Sequence, residues 1–234
     1  MIKNCAIAIF VKTPDLSPVK TRLAKAKGEA YARKFYELSV KATSETVSLA
    51  VTEAGKSGVV LHPYWAVAEK AALSLPQWDL FPRIWQGEGE LGDRLHQVYA
   101  ELKEKHDAVI LIGSDSPQLA STQILNAIEH GKTSEFVFGP ATDGGFFLCL
   151  GQKSLAKEIW TRVSYSAADT LGRLADQLSP LGKIAYLPVM SDVDEESDLP
   201  ILLGEFAEEA KLTASQVVLR DWVKAHQLPL KSAE

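Results

Sequence analysis

The sequence has only two cysteines among its 234 residues, and its five histidines show no metal-ligand spacing. Cys5 and Cys149 are far apart in apolar surroundings, which excludes a CxxC motif and a cysteine-based zinc site. Two buried thiols are typical of a protein in a reducing compartment. We therefore expect a cytoplasmic protein.

Long apolar runs and an excess of positive charge are also missing. The apolar run at residues 5–11 ends at Lys12 with no cleavage site after it, and it is far shorter than the ~20 residues that span a membrane. The net charge is −5, so no basic surface indicates nucleic-acid binding. We expect neither a membrane nor a nucleic acid as a partner.

What is present is an alternation of apolar runs with helical spacing. Strands are predicted at residues 5–11, 58–61, 81–85, 108–112, 136–138, 146–150 and 184–189. Helices are predicted at residues 29–50, 91–105, 122–129, 167–178, 195–209 and 214–226. The alternation favours one α/β domain over residues 1–234, with a mostly parallel sheet covered on both faces. In such sheets ligands bind beyond the carboxyl ends of the strands.

The segment after the first predicted strand is basic. Lys12, Lys20 and Arg22 lie on a loop that also contains two prolines. Arginine offers a planar fork of donors to phosphate, and lysine offers a point charge. The loop is therefore either a phosphate site or a solvated basic surface.

Aspartates follow two other predicted strands. Asp115 ends the most apolar strand, where a charge is costly unless a cation pairs with it, although it could also cap the next helix. Asp192 and Asp194 alternate, so they point the same way in an extended chain, and they also precede a helix whose dipole favours acidic residues. Because close carboxylates repel, we expect Mg²⁺ or Mn²⁺ to stabilise the free protein.

Two glycine-rich segments are also candidates. Gly144 and Gly145 permit a turn with positive φ and a close backbone approach to a ligand, or form a plain turn between two strands. Residues 87–92 match G-x-G-x-x-G, but Glu88, Glu90 and Asp93 put negative charge where a pyrophosphate would lie. This argues against a dinucleotide site and leaves open a turn near a nucleobase.

Five motifs occur in order along the chain: Lys12-x-Pro14 with Val19-Lys-Thr-Arg-Leu23, residues 86–94 (QGEGELGDR), Gly113-Ser-Asp-Ser-Pro117, Gly139-Pro-x-x-Asp-Gly-Gly145, and Asp192-Val-Asp194 followed by Asp198-Leu199. Together they resemble a bacterial GT-A-like transferase family of unassigned substrate, often labelled glycosyltransferase and associated with arsenosugar or radical-SAM gene sets. The set is more remotely similar to the phospholactate and molybdenum-cofactor guanylyltransferases. Each motif alone is weakly specific, but five in order are highly specific.

The resemblance implies the single-domain GT-A fold, a Rossmann-like and mostly parallel sheet with helices on both faces. It implies a nucleotide or nucleotide-sugar ligand, a small acceptor, and Mg²⁺ or Mn²⁺. Catalysis is assigned to Asp115, Asp143 and Lys20. Nucleotide and phosphate binding is assigned to Lys12, Lys20, Arg22, Gln86, Gly89, Gly92 and Ser114. Gly144 and Gly145 are placed at the sugar or acceptor, and Asp115 and Asp194 on the metal, with Asp192 as the alternative ligand.

The chain departs from the family pattern in the basic loop. Members usually carry a glycine between Pro14 and Val19, and here Pro18 removes one backbone donor. A loop with few free amides is a poorer cradle for a triphosphate, which favours glycosyl transfer from a nucleotide-sugar. The alternatives are nucleotidyl transfer to a small phosphorylated substrate and a nucleotide-binding protein without catalysis.

Overall fold

Seven strands form one sheet in the computed structural model, which describes residues 2–165, 167–209 and 211–226. The strands are β1 (Asn4–Val11), β2 (Val60–Val67), β3 (Arg83–Trp85), β4 (Ala108–Ile112), β5 (Phe136–Pro140), β6 (Phe146–Gly151) and β7 (Ile184–Tyr186). The helices are α1 (Thr21–Lys27), α2 (Glu29–Lys56), α3 (Leu91–Lys103), α4 (Ser121–His130), α5 (Lys157–Thr161), α6 (Thr170–Leu178), α7 (Asp198–Glu208) and α8 (Ala214–His226).

The strand order is β3-β2-β1-β4-β6-β5-β7, and β6 alone runs antiparallel to its neighbours within this sheet. The predicted apolar strand β4 is central, and all five of its residues are buried. Parallel strands end at a common edge, and because β6 is reversed, its first residue Phe146 lies there too. The predicted mostly parallel α/β fold is confirmed.

Helices cover both faces of the sheet. Alternate residues of β1 point to opposite sides, so that Cys5, Ile7 and Ile9 pack with α2 and α4, whereas Ala6 and Ala8 pack with α3, α5 and α6. Helices α1, α7 and α8 pack on α2 in a further apolar cluster. This double burial explains the continuous apolar run of β1. The assignment of residues 1–234 to one domain stays a prediction.

Strand β2 begins later and runs further than the predicted strand at residues 58–61. It continues through Pro63, which pairs in register with Ile7 of β1. The next strand, β3, joins β2 only from Trp65 onward. Pro63 therefore lies where β2 has a neighbour on one side only, and its missing N–H costs no ladder hydrogen bond there. The predicted strand at residues 58–61 therefore covers only the start of β2 and stops before Pro63.

The helix α1 was not predicted, and α2 is longer than predicted. Only Gly28, with φ of 87°, separates the two helices. Residues 21–27 are too short to show a clear apolar period, and α1 buries Leu23 alone. Strand β7 is shorter than the predicted 184–189. None of the helices within the described residues is long and apolar enough to cross a membrane.

Candidate active site

The ammonium group of Lys20 lies between two of the predicted metal ligands. Its Nζ is 2.5 Å from Asp115 Oδ1 and 3.1 Å from Asp194 Oδ1, and it donates to the Val193 carbonyl at 2.5 Å. The Lys20 side chain is 3% exposed. Burial alone lowers the pKa of Lys20, but the two carboxylates outweigh it and the pKa is raised. The carboxylates of Asp115 and Asp194 therefore share the Lys20 ammonium as a common partner and lie close to each other.

This arrangement corrects the expectation that the free protein holds two unpaired carboxylates. Lys20 already offsets the repulsion between Asp115 and Asp194, so the folded chain does not depend on a metal for this. All three protons of the Lys20 ammonium also have acceptors. Phosphate binding by Lys20 therefore stays a prediction, and it requires the ammonium to leave at least one of these partners.

The backbone of Lys20 is left-handed, with φ of 46° and ψ of 48°. Among the described residues it is the single non-glycine with positive φ. Such a conformation costs about 1 kcal/mol or more for a residue with a side chain. Lys20 is also where α1 starts, since its carbonyl accepts the Ala24 N–H at 2.8 Å. The residue with this strained backbone is thus the one whose side chain pairs with Asp115 and Asp194.

A buried polar network ties the loop after β4 to the segment after β7. Gln118 Nε2 donates to Glu205 Oε2 at 2.6 Å and to the Ser191 carbonyl at 2.7 Å. Glu205 Oε1 accepts the Ser191 N–H at 3.0 Å, and the Val193 N–H donates to the Asp115 carbonyl at 3.0 Å. Sequence reasoning missed Gln118 and Glu205 because they come from distant parts of the chain. They position the two aspartates relative to each other.

A pocket of about 290 Å³ opens beside these aspartates at the carboxyl edge of the sheet. Its polar lining includes Asp115, Ser116, Asp143, Thr170, Asp192 and Asp194. Its apolar lining includes Phe10, Leu91, Leu95, Leu111, Leu119, Phe146, Phe147 and Tyr165. The pocket thus brings together the predicted metal ligands and the predicted acceptor-facing residue Asp143. A concave site with an apolar wall and a few convergent polar groups is typical of small-molecule binding.

Asp192 is the most perturbed carboxylate of the pocket. Burial, followed by the charges of Asp143 and Asp194, raises the pKa of Asp192 to about 6. The folded state therefore holds this proton more tightly than the unfolded chain does. As the pH rises through about 4 to 6, ionisation of Asp192 opposes folding, and the unfolding free energy falls.

Replacing Asp192 by asparagine should accordingly stabilise the protein at neutral pH. We expect a gain of about 1–2 kcal/mol at pH 7.5 in metal-free buffer, after allowance for solvent screening of a half-buried group. The gain should vanish near pH 4, where the native aspartate is protonated. Denaturant unfolding at both pH values measures this, with the exposed Asp176→Asn as the control. An equal gain at both pH values would contradict the assigned cause.

The turn between β5 and β6 requires a glycine at position 144. Gly144 has φ of 88°, and a Cβ on it would lie 1.9 Å from the Ala168 carbonyl oxygen. The predicted positive φ is therefore present, but the close approach is to the protein's own backbone rather than to a ligand. Gly145 does line the pocket, and its N–H donates to Asp143 Oδ1 at 2.7 Å. The turn holds the Asp143 carboxylate in place.

Substitution of Gly144 by alanine should destabilise the protein by about 2 kcal/mol or more, since it adds a left-handed side chain and a clash with backbone. Gly204→Ala is the matched control, because Gly204 lies inside α7 with open space around it. Alanine there should be neutral or stabilise by about 0.5–1 kcal/mol. Chemical denaturation of both variants checks this, and equal stabilities would mean that the turn is not tightly packed.

The predicted phosphate and nucleotide residues are divided between surface and interior. Lys12 is exposed, and Arg22 is 59% exposed with its Nη1 3.5 Å from Asp194 Oδ2. Ser114 is buried, and the neighbouring Tyr36 hydroxyl donates to the Lys12 carbonyl at 2.9 Å. Lys12 and Arg22 are therefore accessible to a phosphate. Ser114 is buried, and its contact with the nucleotide stays a prediction.

Gln86 and Gly92 are also packed inside the protein. Gln86 Nε2 donates to the Val11 and Ala66 carbonyls at 3.1 and 2.8 Å, which joins the ends of β1 and β2. A Cβ on Gly92 would lie 2.7 Å from the Trp160 carbonyl oxygen, so this glycine permits α3 to approach α5. The predicted contact of both residues with a nucleotide stays a prediction. Gly89 is exposed with φ of 94° and remains a candidate.

A family described as an uncharacterized protein conserved in bacteria, DUF2064, matches residues 44–167, more than half of the chain. The chain belongs to this family. The segment of the DUF2064 match contains Asp115 and Asp143, whereas Lys20 and Asp194 lie outside it. No curated protein matches the sequence.

Several solved structures resemble this DUF2064 chain. A protein from Desulfovibrio desulfuricans G20, provisionally named a nucleotide-diphospho-sugar transferase, has a TM-score of 0.76 at 23% identity over 96% of this chain and 98% of its own. A 4-diphosphocytidyl-2C-methyl-D-erythritol synthase from Anaerococcus prevotii DSM 20548 has a TM-score of 0.54 at 12% identity over 88% of this chain and 96% of its own. A cytidylyltransferase from Leptospira borgpetersenii has a TM-score of 0.53 at 12% identity over 96% of this chain and 95% of its own.

At this level of identity the similarities establish a shared fold. The resemblance to GT-A-like transferases of unassigned substrate is confirmed in that sense. The family description assigns no activity to DUF2064 proteins. Any assignment of activity must therefore come from the chemistry of the site.

Proposed function

We propose that this protein is a transferase that moves a glycosyl group from a nucleotide-sugar to a small acceptor with the help of Mg²⁺ or Mn²⁺. The observation that carries the proposal is the convergence of Asp115, Asp194 and Lys20 beside a pocket at the carboxyl edge of the sheet. Ligands bind at this edge in open α/β sheets. The structures with the same fold are named as a nucleotide-diphospho-sugar transferase, a 4-diphosphocytidyl-2C-methyl-D-erythritol synthase and a cytidylyltransferase, and these names support the transferase class.

The residues present fit a divalent ion that is shared with a ligand. Within the described chain, no group of three or more His, Cys, Asp and Glu side chains could hold an ion by itself. Asp115 and Asp194 supply two carboxylates that already share one cation. Mg²⁺ commonly takes one or two carboxylates and completes its shell with water and phosphate oxygens. When bound, the ion would neutralise charge on the leaving diphosphate.

The chain's own residues would act on both sides of the transferred sugar. Arg22, exposed at the start of α1, would bind the diphosphate of the donor with its planar fork of donors. Asp143, held by the Gly145 N–H, would orient the acceptor in the pocket. In the transfer, the bond from the anomeric carbon to the diphosphate oxygen breaks and a bond to the acceptor heteroatom forms. The acceptor proton passes to a carboxylate or solvent, and a nucleoside diphosphate leaves.

The experiment is a panel of nucleotide-sugars and nucleoside triphosphates, each with and without Mg²⁺ or Mn²⁺. Thermal unfolding reports binding, because a ligand at a hundredfold excess over its Kd stabilises the folded state by ~2.7 kcal/mol. Product analysis then identifies the reaction. Release of a nucleoside diphosphate supports glycosyl transfer, and release of pyrophosphate assigns nucleotidyl transfer instead. Metal-independent binding without either product would mean that the protein only binds nucleotides.

Arg22→Ala tests the phosphate contact within the same panel. We expect nucleotide binding to weaken by about 1.5–3 kcal/mol, the range for a hydrogen bond to a charged group. The control is Lys34→Ala, which removes an exposed positive charge from α2. Stability without ligand should be the same in both variants. If Arg22→Ala and Lys34→Ala bind equally well, the basic loop is a solvated surface.

A further inference from the structure

The pocket beside Lys20 has a strongly one-sided charge. Four aspartates line it, Asp115, Asp143, Asp192 and Asp194, and its lining includes no lysine, arginine or histidine of the described chain. Lys20 and Arg22 approach from outside and contact Asp194, and Lys20 also contacts Asp115. The charge of the pocket is therefore only partly offset.

Asp143 and Asp192 are the aspartates that stay uncompensated. Neither forms an ion pair with another described residue, whereas Asp115 and Asp194 share the Lys20 ammonium. A divalent ion on Asp115 and Asp194 would match the charge of those two groups and leave the other two negative. Asp143 and Asp192 thus keep no ion-pair partner among the described residues, with or without a metal on Asp115 and Asp194.

The rest of the pocket wall is largely apolar and partly aromatic. Phe10, Leu91, Phe146 and Tyr165 line it, and Leu91 is 44% exposed, which is high for an apolar side chain. Ser116 also lines the pocket and is 8% exposed, and its hydroxyl makes no hydrogen bond to another described residue. This hydroxyl lies in the lining beside the aspartates, where it would bind a polar group of a ligand.

We propose that the acceptor is an alcohol or amine with an apolar body and without a phosphate or carboxylate group. This rests on the proposed transferase function and defines the substrate class of the same pocket. An anionic acceptor would bring its charge against Asp143 and Asp192, and like charges juxtaposed in a binding site strongly disfavour the wrong ligand. The apolar wall accommodates the body of the acceptor, and Asp143, Asp192 and Ser116 bind its hydroxyl or ammonium group. A phosphorylated acceptor, as in nucleotidyl transfer to phosphate, does not fit this lining.

A matched set of three probes tests the charge preference without any donor. Benzyl alcohol, benzylamine and benzyl phosphate share one ring and differ in the charge of the attached group. Their binding is measured by protein-observed NMR titration, first in EDTA and then in saturating Mg²⁺. We expect the amine and the alcohol to bind and the phosphate to bind about tenfold more weakly or not at all, in both buffers.

Variants locate the binding and its cause. Tyr165→Ala should weaken binding of the alcohol and amine, whereas Tyr186→Ala, which removes an exposed ring on β7, should leave it unchanged. The double variant Asp143→Asn with Asp192→Asn should abolish the discrimination between amine and phosphate. Circular dichroism of each variant checks that the fold is retained.

The proposal is overturned if benzyl phosphate binds as tightly as benzyl alcohol in either buffer, if none of the probes binds, or if discrimination survives in the double asparagine variant. These outcomes are independent of the transferase assignment, because no nucleotide is present. Conversely, the protein could release no product from any nucleotide-sugar and still prefer the alcohol and amine probes. The proposed function would then be wrong, and the proposed selectivity of the pocket would stand.

Discussion

Replacement of Asp115 by asparagine is expected to abolish metal-dependent transfer while leaving the fold intact. Asparagine keeps the shape of the side chain but removes the charge, and Lys20 retains Asp194 and the Val193 carbonyl as partners. With one carboxylate left, the site holds a divalent ion and the leaving diphosphate poorly. Loss of one preorganised electrostatic group in an active site lowers the rate about 10²–10³-fold, and loss of the ion should exceed this.

Two measurements check this result independently. The first is product formation with the nucleotide-sugar that the ligand panel identifies. The second is the extra thermal stabilisation that Mg²⁺ adds to nucleotide binding, which should disappear in Asp115→Asn and persist in the exposed control Asp176→Asn. Full activity of Asp115→Asn, or an unchanged metal effect, would exclude Asp115 as a metal ligand.

Replacement of Lys20 by methionine is expected to have the largest effect on stability. Methionine keeps much of the apolar stem, but Asp115 and Asp194 then face each other without the shared ammonium. Breaking a fully buried pair costs about 3–5 kcal/mol. The two carboxylates are 53% and 41% exposed, and water can partly solvate them. We therefore expect a loss of about 2–3 kcal/mol in EDTA.

The same variant separates the role of Lys20 from that of a metal. In the native protein Mg²⁺ without nucleotide should add little stability, since the ammonium already lies between the carboxylates. In Lys20→Met the ion can take that position and should restore most of the lost stability. Adding Asp194→Asn to Lys20→Met should recover stability in EDTA by removing the repulsion. Two results would contradict the idea that the Lys20 ammonium and Mg²⁺ compete for the place between Asp115 and Asp194. The first is a Lys20→Met protein as stable as the native one, and the second is a Lys20→Met protein whose stability does not change with Mg²⁺.

The positions of the strands and loops that form the site could largely be predicted, because they depend on local sequence patterns. The apolar run AVILI predicts a central buried strand, and β4 occupies that place with Asp115 directly after it. The alternation of Asp192 and Asp194 predicts a common direction, and both line the same pocket. These predictions rest on the two-residue period of a strand and on the shared edge of parallel strands.

Predictions of side-chain roles were weaker where a residue's partner is far along the chain. Gln86 and Gly92 were assigned to the nucleotide from a motif, and the structure adds internal roles: Gln86 donates to the Val11 and Ala66 carbonyls, and a Cβ on Gly92 would clash with the Trp160 carbonyl. The G-x-G-x-x-G spacing specifies backbone freedom but not what approaches the glycines. Asp93, which directly follows that motif, caps the start of α3 and pairs with Lys157 at 2.6 Å, a contact that only folding creates.

By itself the sequence determined the α/β class, the central position of β4, and the gathering of charged loops at one edge of the sheet, because these follow from hydrophobic periodicity and strand direction. Only the tertiary structure decided that Lys20 lies between Asp115 and Asp194, that Gly144 packs on Ala168, and that Asp143 and Asp192 form no ion pair with another described residue. Pairing of charges depends on distances between loops that are many residues apart. A local pattern carries no information about those distances.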